Sequence, residues 1–218
     1  MTRVAVIGCG GLGVPAAWTL ALGGTGALRL IDADLVEESN LHRQVLYGTD
    51  DIGHAKVERL AATLRTRFGV DVETVACRIS AANISQTLEG CDAVVEGTDD
   101  ALAKFAVNDW AIDQPRRRTA VIAAAIGRRG QWFTVTPTSS CYRCLFEAPP
   151  PPESVGTCAV AGVLGTVTGQ VGAYAAMALL RASRGEADSA IGALVRLSPR
   201  GLARTVAARA GDCACGGR

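Results

Sequence analysis

The stretch from Arg3 to Gly13 constrains this chain more than any other. Val4-Ala5-Val6-Ile7 is a short unbroken apolar run, the pattern of a strand covered on both faces in a parallel sheet, and Gly8-Cys9-Gly10-Gly11-Leu12-Gly13 follows it at once. A G-x-G-x-x-G loop between a strand and a helix turns sharply, lets the backbone approach a phosphate, and aims the first helical amides at it. Val14–Leu22 is apolar enough to pack that helix back onto the sheet. The loop therefore predicts nucleotide binding through Gly8, Gly10, Gly11 and Gly13, on a Rossmann-like sheet.

The alternation continues downstream. Ala27–Ile31 reads as a second strand that ends at Asp32, where a carboxylate is placed to accept hydrogen bonds from ribose hydroxyls. The polar stretch from Asp34 to Gly53 is long for a connection in a compact domain, which marks it as functional, and a helix is predicted over 54–68. Val70–Arg78 and Asp92–Glu96 read as strands, Ile84–Glu89 and Leu102–Asp113 as helices. Beyond Pro115 the pattern changes. Strands over 119–126 and 130–136 flank Gly127-Arg128-Arg129, a glycine-dotted helix spans 163–181, and a terminal hairpin over 193–197 and 203–207 turns at Pro199-Arg200-Gly201. The expected fold class is α/β, a Rossmann-like doubly wound, mostly parallel sheet with an antiparallel C-terminal extension. One domain, 1–218, is expected, with a nucleotide-binding half over 1–114 and a partner-binding half over 115–218 that holds the crossover segment and a cysteine tail.

Composition narrows the function classes. The 22 basic and 21 acidic residues are dispersed and give a net charge of +1, so no footprint for nucleic acid or an anionic membrane is expected. The apolar run before Gly8 is too short for a signal peptide or a membrane span, and a cytoplasmic protein is expected. In that setting the eight cysteines read as thiols. Cys9, Cys77 and Cys91 sit in or beside predicted strands and read as small core residues, whereas Cys141-x-x-Cys144 has zinc-knuckle spacing. His42 and His54, the only histidines, read as structural or surface residues.

The glycine loop and Asp32 do not separate NAD from ATP. Asn40, Arg43 and Gln44 in the long loop, with Lys56 beyond it, suit a triphosphate better than a pyrophosphate diester. Two isolated basic residues are also compatible with solvated surface positions, and Asp99 with a helix N-cap.

Asp32-x-Asp34, Asn40-Leu41-x-Arg43-Gln44, Lys56-Val57-Glu58, Gly97-Thr98-Asp99, Cys141-x-x-Cys144 and Ala161-Gly162-Val163-Leu164-Gly165 occur in that order. Together they resemble the ThiF/MoeB/HesA adenylyltransferases, relatives of the ubiquitin-activating enzymes, from Arg3 to Cys215. The resemblance implies ATP, with Gly10 and Gly11 along the phosphates, Asp32 on the ribose, and Asn40, Arg43 and Lys56 on the triphosphate. Asp34, Gln44 and Thr98 belong to the same motifs, and Asp99 is implied as the magnesium-associated carboxylate. It implies a structural zinc on Cys141, Cys144, Cys213 and Cys215, although the second pair is C-x-C where the family has C-x-x-C. Two such cysteines on an extended segment would point the same way.

The resemblance also implies thioester or persulfide chemistry at Cys158, catalysis by Arg43, Lys56 and Asp99, and a homodimer. Its implied substrate is a small ubiquitin-like sulfur carrier ending in Gly-Gly. Family members begin with a helical arm whose arginine enters the partner subunit's ATP site; Met1 stands so close to the first strand that no such arm is expected, and a separate protein is expected to supply sulfur. A peptide or small-molecule carboxylate as substrate, a non-catalytic nucleotide- or carrier-binding role, and an NAD dehydrogenase are the competing expectations.

Overall fold

A computed structural model describes residues 3–113, 118–136, 138–151, 162–186, 190–211 and 213–215. Its elements run β1 (Arg3–Ile7), α1 (Gly13–Leu22), β2 (Ala27–Ile31), α2 (Lys56–Phe68), β3 (Asp71–Val75), α3 (Ile84–Thr87), β4 (Ala93–Glu96) and α4 (Ala101–Ile112). Then come β5 (Thr119–Ile126), β6 (Arg129–Val135), α5 (Gly165–Ser183), β7 (Ala193–Ser198) and β8 (Gly201–Val206). One sheet of eight strands has the order β3-β2-β1-β4-β5-β6-β7-β8. β3 through β5 in that order are parallel, and β6, β7 and β8 add on antiparallel, as the sequence pattern predicts.

The strand alternation sorts side chains into two layers. Val4, Val6, Leu28, Leu30, Val95, Val121 and Trp132 pack under α1, α2 and α5 on one face. Ala5, Ile7, Ile31, Val94, Ile122 and Phe133 pack under α3 and α4 on the other, where Phe105, Val107 and Trp110 of α4 complete the layer. With both of its faces covered, the central strand β1 reads as a continuous apolar run, which is why Val4–Ile7 carries no polar residue.

Two glycines set close approaches. A Cβ on Gly13 would lie 1.6 Å from the Gly8 carbonyl oxygen, so the loop folds onto the first turn of α1 only without a side chain there. A Cβ on Gly172, inside α5, would lie 2.2 Å from the Leu12 carbonyl oxygen, which is how α5 comes to rest on the N-terminus of α1.

Several boundaries move for visible reasons. α2 starts at Lys56 rather than 54 because Ala55 is extended and bridges Leu35. β3 ends at Val75, after which the Cys77 amide turns back to the Val75 carbonyl. Cys77 is thereby only half-buried, packed at the core's edge on a cavity wall, whereas Cys9 and Cys91 are buried as expected. α5 starts at Gly165 because Val163 bridges Gly127 in parallel and Leu164 is extended. Among the described residues no helix is long and apolar enough to cross a membrane.

Candidate nucleotide crevice and cysteine cluster

The strand order reverses between β1 and β4, and past their C-terminal ends lies a cavity of about 1400 Å³. An open α/β sheet binds ligands at this switch point. Gly8, Gly10, Gly11, Asp32, Asp34, Asn40, Arg43, Gln44, Lys56, Thr98 and Asp99 all line it. Of the nucleotide residues expected from the sequence, only Gly13 is off the wall, behind the loop against Gly8.

The loop is tied down from two sides. Asp32 accepts from the Cys9 amide at 2.6 Å and the Asp34 amide at 2.8 Å, joining the loop to the end of β2. The buried Tyr47 hydroxyl donates to the Cys9 carbonyl at 2.8 Å and lies 3.2 Å from the Lys56 carbonyl. The Gly10 and Gly11 amides have no protein acceptor among the described residues. Gln44 is buried, and its Oε1 also lacks a partner. The free amides can donate to a phosphate, and the orphaned buried amide oxygen calls for a donor such as a ligand hydroxyl.

The cations are not isolated. Lys56 is buried and its Nζ lies 3.1 Å from Asp34 Oδ2, while Arg78 reaches the other Asp34 oxygen at 3.3 Å. Arg43 donates to the side chain of buried Asn40, whose Nδ2 donates to Glu37 at 3.1 Å. These contacts hold Arg43 and Lys56 at the cavity wall. His42 and His54 are exposed.

At the end of β4 lies a network that sequence reasoning missed. Glu96 has no exposed surface; its Oε1 accepts from the Thr98 amide at 2.8 Å and the Thr98 hydroxyl at 2.5 Å. The Lys104 ammonium, from α4, donates to Glu96 Oε2 at 2.5 Å and to the carbonyls of Thr98 and Ala123 at 2.7 Å each. Burial pushes the Glu96 carboxyl above its usual range, against the opposing pull of Lys104 and the Thr98 donors. A sequence signal existed: Glu96 ends the apolar strand Ala93–Glu96 and Lys104 interrupts the apolar helical run Ala103–Val107. Inside such runs a charge calls for a partner.

This network fixes the turn that carries Asp99. The N-cap of α4 is Asp100, not Asp99: Thr98 Oγ1 accepts from the Asp100 amide at 3.2 Å, and Asp100 Oδ1 accepts from Leu102 at 2.8 Å and Ala103 at 3.3 Å. Asp99 is left exposed on the cavity wall, with no hydrogen bond or ion pair to other described residues.

Beside the C-terminal half of α4, Cys141, Cys144, Cys213 and Cys215 bring their sulfurs within 4.8 Å of one another. Individual separations are 3.9 Å for Cys141–Cys144, 3.5 Å for Cys141–Cys213, 3.2 Å for Cys144–Cys215 and 3.5 Å for Cys213–Cys215. A tetrahedral ion with sulfur ligands at about 2.3 Å needs sulfurs about 3.8 Å apart, so the donor set fits one metal ion. The tail departs from the extended expectation: Cys213 donates to the Ala210 carbonyl at 3.2 Å, and this turn lets a C-x-C pair face the knuckle. Asn108 and Asp109 of α4 anchor the knuckle through the Tyr142 amide and the Arg143 guanidinium, each at 2.7 Å. Cys158 and Ala161 lie outside the described residues.

Comparison with known proteins decides the family. The ThiF family model matches residues 1–216. The chain belongs to the ThiF family. It is 38% identical over 195 residues to the SAMP-activating enzyme E1 of Haloferax volcanii, covering 89% of this chain and 72% of that protein. To the adenylyltransferase and sulfurtransferase MOCS3 of Sus scrofa it is 41% identical over 223 residues, covering 99% of this chain but 48% of that protein. This ThiF chain thus spans about half the length of the MOCS3-type relatives. Escherichia coli MccB solved with ATP shares the fold, with a TM-score of 0.86 at 21% identity over 100% of this chain and 67% of MccB.

Proposed function

We propose that this ThiF-family chain is an ATP-dependent adenylyltransferase that activates the C-terminal glycine carboxylate of a small ubiquitin-like sulfur carrier. The observation that carries the reading is the convergence on one cavity of free loop amides, two held cations and an uncommitted carboxylate. NAD would need a partner for its second phosphate group but not a free carboxylate beside it; a triphosphate with a divalent cation uses both.

In the reaction, the attacking carboxylate is already ionised at neutral pH and needs no side-chain base. It attacks the α-phosphorus as pyrophosphate departs. Gly10 and Gly11 orient the phosphates, Asp32 and Asp34 frame the ribose side, and Asn40, Arg43, Gln44 and Lys56 stabilise the charge that develops on the leaving group. Magnesium held by Asp99, with Thr98 behind it, would neutralise phosphate oxygens. Zinc on the four cysteines would be structural, pinning the tail to the knuckle, since all four positions are protein sulfurs. Residues 1–114 form the nucleotide half and 115–218 the carrier half. A homodimer, a cytoplasmic setting, a separate sulfur donor and a nucleophilic Cys158 complete the assignment.

The test is carrier-dependent ATP–pyrophosphate exchange. Exchange stimulated by a Gly-Gly-ended carrier and lost in Arg43→Ala and Asp99→Ala supports the assignment. Stimulation by peptides alone moves it to a peptide carboxylate. Tight ATP binding with no exchange for any carrier, peptide or small acid overturns it in favour of a non-catalytic role.

A further inference from the structure

The cavity has a second end with a different electrostatic character. At the nucleotide end cations and carboxylates alternate: Lys56 and Arg78 meet Asp34, Lys104 meets Glu96, and Asp32, Asp99 and Asp100 stand nearby. The end built by the antiparallel extension is lined by Arg128 and Arg129 at the β5–β6 turn, Arg196 on β7 and Arg200 at the β7–β8 turn. Among the described residues no aspartate or glutamate accompanies them on that wall. All four are exposed, and none has an ion pair among the described residues; Arg196 makes only a 3.1 Å bond to the Thr205 hydroxyl. In a chain of net charge +1, whose charges look evenly dispersed along the sequence, this is a local surplus created by folding.

Register explains how it arises. Gln131 pairs with Arg196, and Arg196 with Ala203, so these three form one row across β6, β7 and β8. Arg129, two residues from Gln131, shares their face and stands opposite Ile126 of β5, itself 43% exposed. The wall therefore mixes planar cations with apolar surface and polar amide. Its cavity, at about 1400 Å³, exceeds the roughly 300–1,000 Å³ of a small-molecule site, leaving room beyond a nucleotide.

We propose that Arg128, Arg129, Arg196 and Arg200 form a docking wall for an acidic polypeptide, the carboxylate-bearing surface that flanks the tail being adenylated. This rests on the adenylyltransferase assignment and adds to it the charge of the partner. Guanidinium groups pair bidentately with carboxylates, and a patch with no competing acid steers an acidic partner toward the phosphates while repelling basic tails. A single-stranded nucleic acid is disfavoured because no aromatic side chain among the described residues lines the cavity to stack a base.

The test uses the full chain and fluorescein-labelled peptides ending in Gly-Gly, identical except for upstream Glu, Ser or Lys residues. Anisotropy at low salt should show the Glu peptide binding about tenfold tighter than the Ser peptide, as expected of several exposed charge pairs together. The preference should vanish at high salt and in the variant carrying Arg128→Ala, Arg129→Ala, Arg196→Ala and Arg200→Ala, and should survive when the same positions become lysine. ATP affinity and the thermal midpoint of the alanine variant should match the parent, which excludes misfolding. Equal binding of Glu and Ser peptides, or stronger competition by an oligothymidylate than by unlabelled Glu peptide, overturns the proposal. Failure of the two readings is distinguishable: carrier-stimulated exchange with an unchanged carrier KM in the alanine variant sinks only the docking wall. Arginine-dependent Glu-peptide binding without exchange under any condition sinks only adenylation.

Discussion

Replacing Lys104 with methionine separates what the buried ion pair does for stability from what it does for the site. Lys104 has little exposed surface and Glu96 none, and the ammonium meets three acceptors. Removing one partner of a buried pair leaves an uncompensated charge and costs about 3–5 kcal/mol, a large share of the roughly 5–15 kcal/mol of a typical domain. The pH dependence has a definite sign. Burial already holds the Glu96 carboxyl above its usual range; without Lys104, the main opposing influence, it rises further. A carboxyl whose folded pKa exceeds its unfolded value of about 4.3 stabilises below that value, and the contribution is lost as pH rises through the folded pKa. Lys104→Met is therefore least harmful in acid and most harmful in mild base, as urea titrations at several pH values would show. The double variant Glu96→Leu with Lys104→Met removes both charges and should recover most of the stability, because apolar replacement of a buried pair is near neutral. It should not recover pyrophosphate exchange, since the Thr98 amide and hydroxyl lose their acceptor and the turn bearing Asp99 loses its anchor. A cost below about 1 kcal/mol for Lys104→Met, or parental exchange in the double variant, would refute the reasoning.

Three further outcomes follow from neighbouring groups. Asp100→Ala removes the α4 cap and should lower stability by about 1 kcal/mol while leaving exchange nearly intact, whereas Asp99→Asn should leave urea stability unchanged and abolish most exchange. Elemental analysis should find one zinc per chain; stripping it with a mercurial and a chelator, or making Cys213→Ser, should lower the thermal midpoint and free the tail to protease. Gly172→Ala, whose Cβ would meet the Leu12 carbonyl at 2.2 Å, should destabilise the packing of α5 on α1 and weaken ATP binding, measured by calorimetry, through the displaced helix N-terminus.

The fold was largely legible because its signals are local. Val4–Ile7, Ala27–Ile31 and Ala93–Glu96 are runs of strand length with at most one charged residue each, and each is followed by a polar or glycine turn where the sheet ends. Boundaries escaped where a tertiary bridge overrides helical pattern, as at Ala55 with Leu35 and Val163 with Gly127. The residues gathered in the nucleotide crevice were legible as motifs, but the choice between Asp99 and Asp100 as cap was not. Two adjacent acids before an apolar helix satisfy the same pattern, and the decision comes from the Thr98 hydroxyl, held by a glutamate that no capping rule mentions.

The arginine wall was illegible for a different reason. Its members come from two hairpins distant in the chain, each with an unremarkable turn composition, and only the pairing of β6 with β7 sets Gln131 beside Arg196. Net charge counts the whole surface and averages such a patch away. Sequence motifs report groups selected to meet one small ligand at one loop, so they identify the crevice where ATP chemistry is proposed. A protein partner is met instead by a face, and a face exists only after register is set. The same sheet extension that makes this chain more than a nucleotide-binding half is thus where its substrate discrimination is expected to reside, and exchange kinetics with charge-altered carriers would read it as a change in carrier KM at constant ATP KM.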